Sequence, residues 1–290
     1  MSHGAMWFEE SLYSEDDSKG YAQQFRVTRE VYREKTEFQD LVIFDNPAFG
    51  RVLALDGVIQ TTEKDEHFYH EMMAHVAIVA HGAVENVLII GGGDGGVLRE
   101  ALKHPGVKPT MVELDRSVVD MCKKYMPSLS DGAFDDPRTE LIITDGIKFM
   151  AETDRKFDVI IVDSTDPIGP GEVLFTEAFY RDCYRCLSKG GILVNQNGVP
   201  NFQPEEVTTT YRRLSPIFSD VRFIVVPVPT YIGGFMTLGW ASDAAEHKDQ
   251  SAEVIESRVE AAALSTRYYN ADIHRACFAL PEYIRKLLVK

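Results

Sequence analysis

The chain has 290 residues, 44% hydrophobic and 26% charged, an ordinary globular composition with room for one large or two smaller domains. A formal net charge of −15 argues against nucleic acid as a partner and is compatible with a cationic substrate. No apolar run reaches membrane-spanning length and no signal peptide opens the chain, so the expectation is no membrane partner and a cytoplasmic setting.

Ser2-His3-Gly4-Ala5-Met6 reads as a cloning remnant, and residues 1–6 are set aside. From Phe8 to Thr62 the chain reads as strands and turns, with strands at Phe25–Thr28, Val31–Glu34, Asp40–Phe44 and Arg51–Leu55. Asn46-Pro47 and Asp56-Gly57 punctuate them, the second as a hairpin signal. The expectation is an antiparallel β-domain over 7–64. It is small enough to need packing on the next domain, 65–290, or on another subunit.

Asp65 to His81 reads as a helix carrying His67, His70 and His75. His70-Glu71 resembles the start of the zinc-protease pattern H-E-x-x-H, but the second histidine follows after five residues. On a helix that separates the two rings by about 140°, so they cannot share a metal. A structural role is the default for a helical histidine, although Tyr69 and His70 stand close before the glycine turn described next.

Val87-Leu88-Ile89-Ile90 is a short apolar run, and Gly91-Gly92-Gly93-Asp94-Gly95-Gly96 follows it directly. Val97 to Leu102 then opens a helical pattern. Gly91, Gly93 and Gly96 fit G-x-G-x-x-G between a strand and a helix, a turn that lets the backbone approach a ligand closely. Dinucleotides, nucleotides and the adenosyl sulfonium of S-adenosylmethionine all suit such a turn. Glu113, ending the run Thr110–Leu114, stands near the spacing at which a carboxylate meets ribose hydroxyls. Asp94 within the loop opposes a pyrophosphate and suits a cation, although Asp is also an ordinary turn residue.

From Val84 onward strands and helices alternate. Strands are expected at Val87–Ile90, Thr110–Leu114, Leu141–Thr144, Asp158–Asp163, Gly191–Asn195, Val221–Val228 and Phe235–Ala241. Helices are expected at Gly96–Lys103, Ser117–Tyr125, Gly146–Ala151, Thr176–Leu187, Gln203–Phe218 and Ser251–Ala262. This is an α/β doubly wound sheet. The last two strands are joined by Pro229–Gly234, too short for a helical crossover, so they should be antiparallel. That makes the plan a methyltransferase-like variant of the Rossmann fold. Cys183 and Cys186 form C-x-x-C within a helical stretch, with Cys122 and Cys277 elsewhere. No second pair supplies a zinc site, and the cysteines read as packing residues in a reducing compartment.

Ligands in such sheets bind beyond the carboxyl ends of the strands. This chain places Asp94, Glu113, Asp145 and Asp163 at those ends, with Asp166 just after. Each alone can be a helix cap or turn residue. Together they repel one another unless cations occupy the cleft. No lysine or arginine lies at those tips, which argues against internal pairing and for positively charged ligands.

The ordered set Asp56–Glu63, Tyr69–Met72, Gly91–Gly96, Val112–Asp115, Asp145-Gly146, Asp163–Pro170 and Pro229–Tyr231 resembles the polyamine aminopropyltransferase (spermidine synthase) family. The likeness runs in order from about Trp7 to Tyr283 with no segment out of place. It implies transfer of the aminopropyl group of decarboxylated S-adenosylmethionine to putrescine, giving spermidine and methylthioadenosine. In that likeness Asp163 matches the proton acceptor. Gln39, Glu113, Asp145, Gly146 and Pro170 match positions that hold the adenosyl sulfonium. Tyr69, His70, Asp94, Asp166, Gln196 and Tyr231 match positions around the aminopropyl chain and the amine, and Ser164 and Thr165 fall within the same Asp163–Asp166 run. The donor is a co-substrate, and neither cofactor nor metal is implied. A homodimer or homotetramer is expected.

The residue types suit that chemistry. A sulfonium is already an activated leaving group, but the attacking amine must be neutral. For an alkylamine that costs roughly 4.6 kcal/mol at pH 7. Partial burial raises an aspartate toward the pKa of a useful base, and bond formation acidifies the amine proton as attack proceeds. An acid at Asp94 attracts the ammonium arm of the decarboxylated donor and repels the carboxylate that ordinary S-adenosylmethionine adds. The rival readings are an amine methyltransferase on the same scaffold, a non-catalytic polyamine-binding protein and, weakest, an NAD-dependent dehydrogenase.

Overall fold

The computed structural model of the chain describes residues 6–14, 20–166 and 169–288. Of the stretch read as a cloning remnant, residues 1–5 lie outside these, and Met6 opens the first strand. β1 (Met6–Glu9) pairs antiparallel with β2 (Gln24–Val27). β3 (Arg29–Lys35), β4 (Asp40–Asn46), β5 (Gly50–Leu55) and β6 (Val58–Thr62) form a four-stranded antiparallel meander. Asp56 and Gly57 turn β5 into β6 with φ of 48° and 80°, the two left-handed residues of a tight hairpin. The sequence reading anticipated the hairpin signal and the middle strands but not β1 or β6. Both are short, and β1 owes its existence to pairing with β2.

The seven-stranded sheet contains β7 (Asn86–Gly91), β8 (Lys108–Glu113), β9 (Glu140–Ile143), β10 (Phe157–Asp163), β11 (Leu187–Gln196), β12 (Asp220–Val226) and β13 (Met236–Ser242). Their spatial order is β12-β13-β11-β10-β7-β8-β9. Six strands run in one direction, and β13, between β11 and β12, lies antiparallel to both. The short link after β12 forces that hairpin, as the sequence implied. The fold is α/β, a methyltransferase-like doubly wound sheet with an N-terminal antiparallel β region.

Helices cover both faces of this sheet, so its central strands are continuous apolar runs. Val87, Ile89, Val159 and Ile161 pack on one side with the helix Glu66–His81. Leu88, Ile90, Ile160 and Val162 pack on the other with Phe179 and Cys183 of the helix Glu177–Cys186. Each such fully buried aliphatic side chain stabilises the fold by about 1.5–3 kcal/mol. The helix Glu66–His81 is buried along nearly its whole length. That seals its polar residues into the protein, where Glu66, Tyr69, His70, Glu71 and His75 find partners. All four cysteines are buried and unpaired. No helix among the described residues is long and apolar enough to cross a membrane.

One register match positions the site. β7 and β10 are neighbours, and Gly91 lies opposite Asp163. These are the strands at which the winding of the sheet changes direction, where a crevice opens beyond the strand ends.

Candidate active site

Glycine at the end of β7 is required by the protein itself. Gly91 has φ +82°, and a Cβ there would stand 2.2 Å from the Asp163 carbonyl oxygen. The Gly92 N–H donates to that same carbonyl at 2.9 Å. A Cβ on Gly96 would fall 2.1 Å from the His70 ring. The G-x-G-x-x-G spacing therefore admits the neighbouring strand and a histidine, in addition to leaving room for a ligand.

The glycine turn opens into a cleft lined by every acid picked out at the strand ends: Asp94, Glu113, Asp145, Asp163 and Asp166. Asp94 is a turn residue and also meets a side chain that can carry positive charge. Its Oδ1 accepts from the Gly96 N–H at 2.6 Å, an Asx-type turn bond, and its Oδ2 stands 3.3 Å from His70 Nε2. The second contact corrects the expectation that these acids have no internal cation. The missing partner is a histidine from the preceding helix. His70 Nδ1 lies 2.7 Å from Glu66 Oε2. Burial by itself opposes charge on this ring, but the carboxylates of Asp94 and Glu66 outweigh it and carry its pKa to about 10.

Asp163 ends β10 and accepts a 2.7 Å hydrogen bond from the Tyr69 hydroxyl. Burial, reinforced by the nearby Asp94 charge, pushes its pKa up to about 6, while His70 and Tyr69 pull it down. Burial also pushes Glu113 up to about 7, against the Asp115 N–H that donates to it at 2.9 Å. Asp145 is exposed and caps the helix Gly146–Glu152 through the Ile147 N–H.

Asp166 accepts from Gln196 Nε2 at 2.7 Å and from Gln203 Nε2 at 3.2 Å. Burial raises its pKa and the two amides draw it back. The Tyr231 hydroxyl donates to the Gln60 carbonyl at 2.5 Å, and its ring lies 6.2 Å from that of Tyr69. Thr230 beside it is tied to Asp65 through its N–H and its hydroxyl. Gln39, from the N-terminal β region, also lines the cleft and donates to Asp115 at 3.0 Å. Ser164, Thr165 and Gly146 also line the cleft. Of Pro170 only the backbone, within the 3-10 segment Gly169–Phe175, is described, and Pro167 and Ile168 lie outside the described residues.

Sequence reasoning missed Glu10, Gln60, Asp115 and Gln203, all of which line the cleft. Glu10 accepts from the Ile59 N–H at 3.0 Å, and burial pushes its pKa up to about 7. Nothing local marks it. Asp115, in Val-Glu-Leu-Asp two residues after Glu113, was the legible one. The other helical histidine of the H-E pair is structural. His75 is fully buried between Glu100 and His104, each 2.9 Å from one ring nitrogen. Glu71 accepts the backbone N–H groups of Arg267, Tyr268 and Tyr269. Among the described residues, no group of three or more His, Cys, Asp or Glu side chains is arranged to hold a metal ion.

A family model described as the spermine/spermidine synthase domain matches residues 66–251, and one described as the spermidine synthase tetramerisation domain matches residues 6–63. The chain belongs to the spermine/spermidine synthase family. Polyamine aminopropyltransferase 1 of Pseudomonas aeruginosa is 55% identical over 284 residues, covering 98% of each chain. The polyamine aminopropyltransferase of Sodalis glossinidius is 53% identical over 289 residues, covering 99% of each. A spermidine synthase solved with the transition-state analogue AdoDATO aligns with a TM-score of 0.91 at 38% identity, over 99% of this chain and 96% of that one. The spermidine synthase of Thermotoga maritima aligns with a TM-score of 0.90, also at 38% identity, over 98% and 94%. Family membership thus extends over both the N-terminal β region and the large sheet.

Proposed function

We propose that the protein is a spermidine synthase, transferring the aminopropyl group of decarboxylated S-adenosylmethionine to putrescine. The observation that carries this reading is the row of acids along one cleft. Asp94, Glu113, Asp163 and Asp166 all line it, Asp94 within the glycine turn and Asp163 on the neighbouring strand opposite Gly91. Such a row matches a pair of ligands that are both cations.

The nitrogen of putrescine attacks the aminopropyl carbon bound to sulfur. The new N–C bond forms as the C–S bond breaks, and sulfur keeps the electron pair as a neutral thioether in methylthioadenosine. The amine proton passes to Asp163, whose raised pKa suits a base working near neutrality. Tyr69 orients that carboxylate. Asp94 takes the ammonium arm of the donor, and Glu113 takes the ribose hydroxyls. Gln39, Asp145, Gly146 and Pro170 form the adenosyl side. His70, Ser164, Thr165, Asp166, Gln196 and Tyr231 form the amine side. Holding two reactants for in-line attack supplies much of the remaining acceleration.

We also propose that 7–64 and 65–290 are two domains that share the cleft, and that the first assembles the chain into a homodimer or homotetramer. Met6 and Trp7 on β1, each 53% exposed, support that assembly. Four buried, unpaired cysteines support a cytoplasmic home.

Mass analysis of products from the decarboxylated donor with a panel of diamines and triamines tests the reading. Spermidine and methylthioadenosine in equal amounts are expected. A methylated amine formed from ordinary S-adenosylmethionine would favour the methyltransferase instead.

A further inference from the structure

His70 stands between two carboxylates, Glu66 on Nδ1 at 2.7 Å and Asp94 on Nε2 at 3.3 Å, and its side chain is only 2% exposed. A neutral imidazole has one N–H and would turn a lone pair toward one of these acids. Only the doubly protonated ring satisfies both. Asp94 lines the catalytic cleft but Glu66 does not; it lines a separate outer groove together with Arg99. The Arg99 guanidinium donates to the same Glu66 Oε2 at 2.8 Å, and also reaches Glu100 at 2.7 Å and the Leu129 carbonyl at 2.6 Å. Glu66 is thereby held in place from behind. Around His70 the charged and titratable groups are Glu66 and Tyr69 from its own helix, Asp94 from the glycine turn, Arg99 from the helix Gly96–Leu102, and Asp163 at the end of β10.

We propose that Glu66, anchored by Arg99, is a positioning residue that holds His70 as a permanent imidazolium against Asp94, placing a fixed positive charge inside the cation-binding cleft. The consequence rests on the aminopropyltransferase reading. A fixed cation near an incoming ammonium makes that ammonium easier to deprotonate, as neighbouring cations do for catalytic amines. It therefore trades some affinity for the charged amine against a larger fraction of attacking free base. It also keeps Asp94 and Asp163 from sharing one proton as an isolated acid pair would.

The test substitutes Glu66→Gln, which keeps a hydrogen-bonding group of the same size and removes the charge. Two readouts are needed. The first is NMR titration of the His70 ring nitrogens, which requires no activity. The wild-type ring should remain doubly protonated through about pH 9, and Glu66→Gln should lower its pKa by at least about one unit. The second is the ratio of variant to wild-type kcat at saturating donor and diamine, in which the ionisation of the free diamine cancels and that of the bound amine does not. It should fall by about threefold or more between pH 7.5 and 9.5, as the variant ring loses its proton and the wild-type ring does not. KM for the diamine should stay level or drop. In a His70→Gln background the further change Glu66→Gln should add little, because Glu66 acts through His70. A wild-type His70 that titrates below about pH 7.5 would overturn the proposal, and that reading needs no variant to fold. A kcat ratio flat in pH would reduce Glu66 to a structural role. Absence of product from the wild type, with the NMR result intact, would instead count against the aminopropyltransferase reading alone.

Discussion

The Tyr69 hydroxyl donates to Asp163 Oδ1 at 2.7 Å, joining the first long helix to the end of β10. This bond favours the ionised carboxylate, whose pKa burial has pushed up to about 6. Tyr69→Phe removes the donor and should raise Asp163 further. The acid limb of the kcat/KM profile should move to higher pH by roughly half to one unit. A limb that stays in place would separate Tyr69 from the base.

Asp163→Asn should leave donor binding largely intact and lower turnover by about 10²-fold or more, the scale of losing a positioned base. Single-turnover formation of methylthioadenosine by the folded variant measures it. Near-normal turnover would remove Asp163 from the proton-accepting role.

Glu113→Gln should weaken methylthioadenosine by about tenfold, because the ribose hydroxyls lose a charged acceptor. The amide oxygen can still accept from the Asp115 N–H, so the loop should survive. Calorimetry with methylthioadenosine isolates this contact from the amine side. Unchanged affinity would refute the ribose assignment.

Asp94→Asn tests donor choice. Asn can still accept from the Gly96 N–H, so the turn is preserved. Two carboxylates about 4 Å apart repel by on the order of 4 kcal/mol at an effective dielectric near 20. The variant should therefore bind the decarboxylated donor more weakly and ordinary S-adenosylmethionine equally or better. Equilibrium affinities for both donors at fixed salt decide it, and an equal loss for both would make Asp94 a turn residue only.

The acids also predict a pH dependence of stability. Asp163 and Glu113 have folded pKa values raised to about 6 and about 7, above those of an unfolded chain. Their contribution is fully present below about pH 4 and is lost as pH rises toward 7. His70, raised to about 10, acts in the same sense from about pH 6.5 upward. Glu66, held down at about 2, acts in the opposite sense and loses its contribution only as pH falls below about 4.5. The ligand-free protein should thus melt at a lower temperature at pH 8 than at pH 6, and the cationic donor should offset much of the loss. Thermal melts with and without donor check both signs.

Much of this was legible in the chain. Val87–Ile90 and Val159–Val162 are buried on both faces of a parallel sheet, so they appear as unbroken apolar runs bounded by glycine or acid. Glu113 and Asp163 were visible because each closes such a run. β6 escaped notice because it is five residues long and carries the polar residues Gln60, Thr61 and Thr62. Glu10 and Gln203 escaped because the cleft gathers them from elements remote in sequence, with no local pattern to announce them.

The sequence by itself determined the order of strands and helices in the large sheet, the antiparallel last hairpin and the acids at the strand ends. Those follow from local periodicity and connection length, which any short window contains. Tertiary structure alone decided that Gly91 lies opposite Asp163, and that His70 turns its two nitrogens to Glu66 and Asp94. The sequence suggested acids with no cation among them, because their partner is supplied by another element. The reason is burial. A histidine sealed into a helix interface can meet only what packs against it, and only the folded arrangement brings the two carboxylates there.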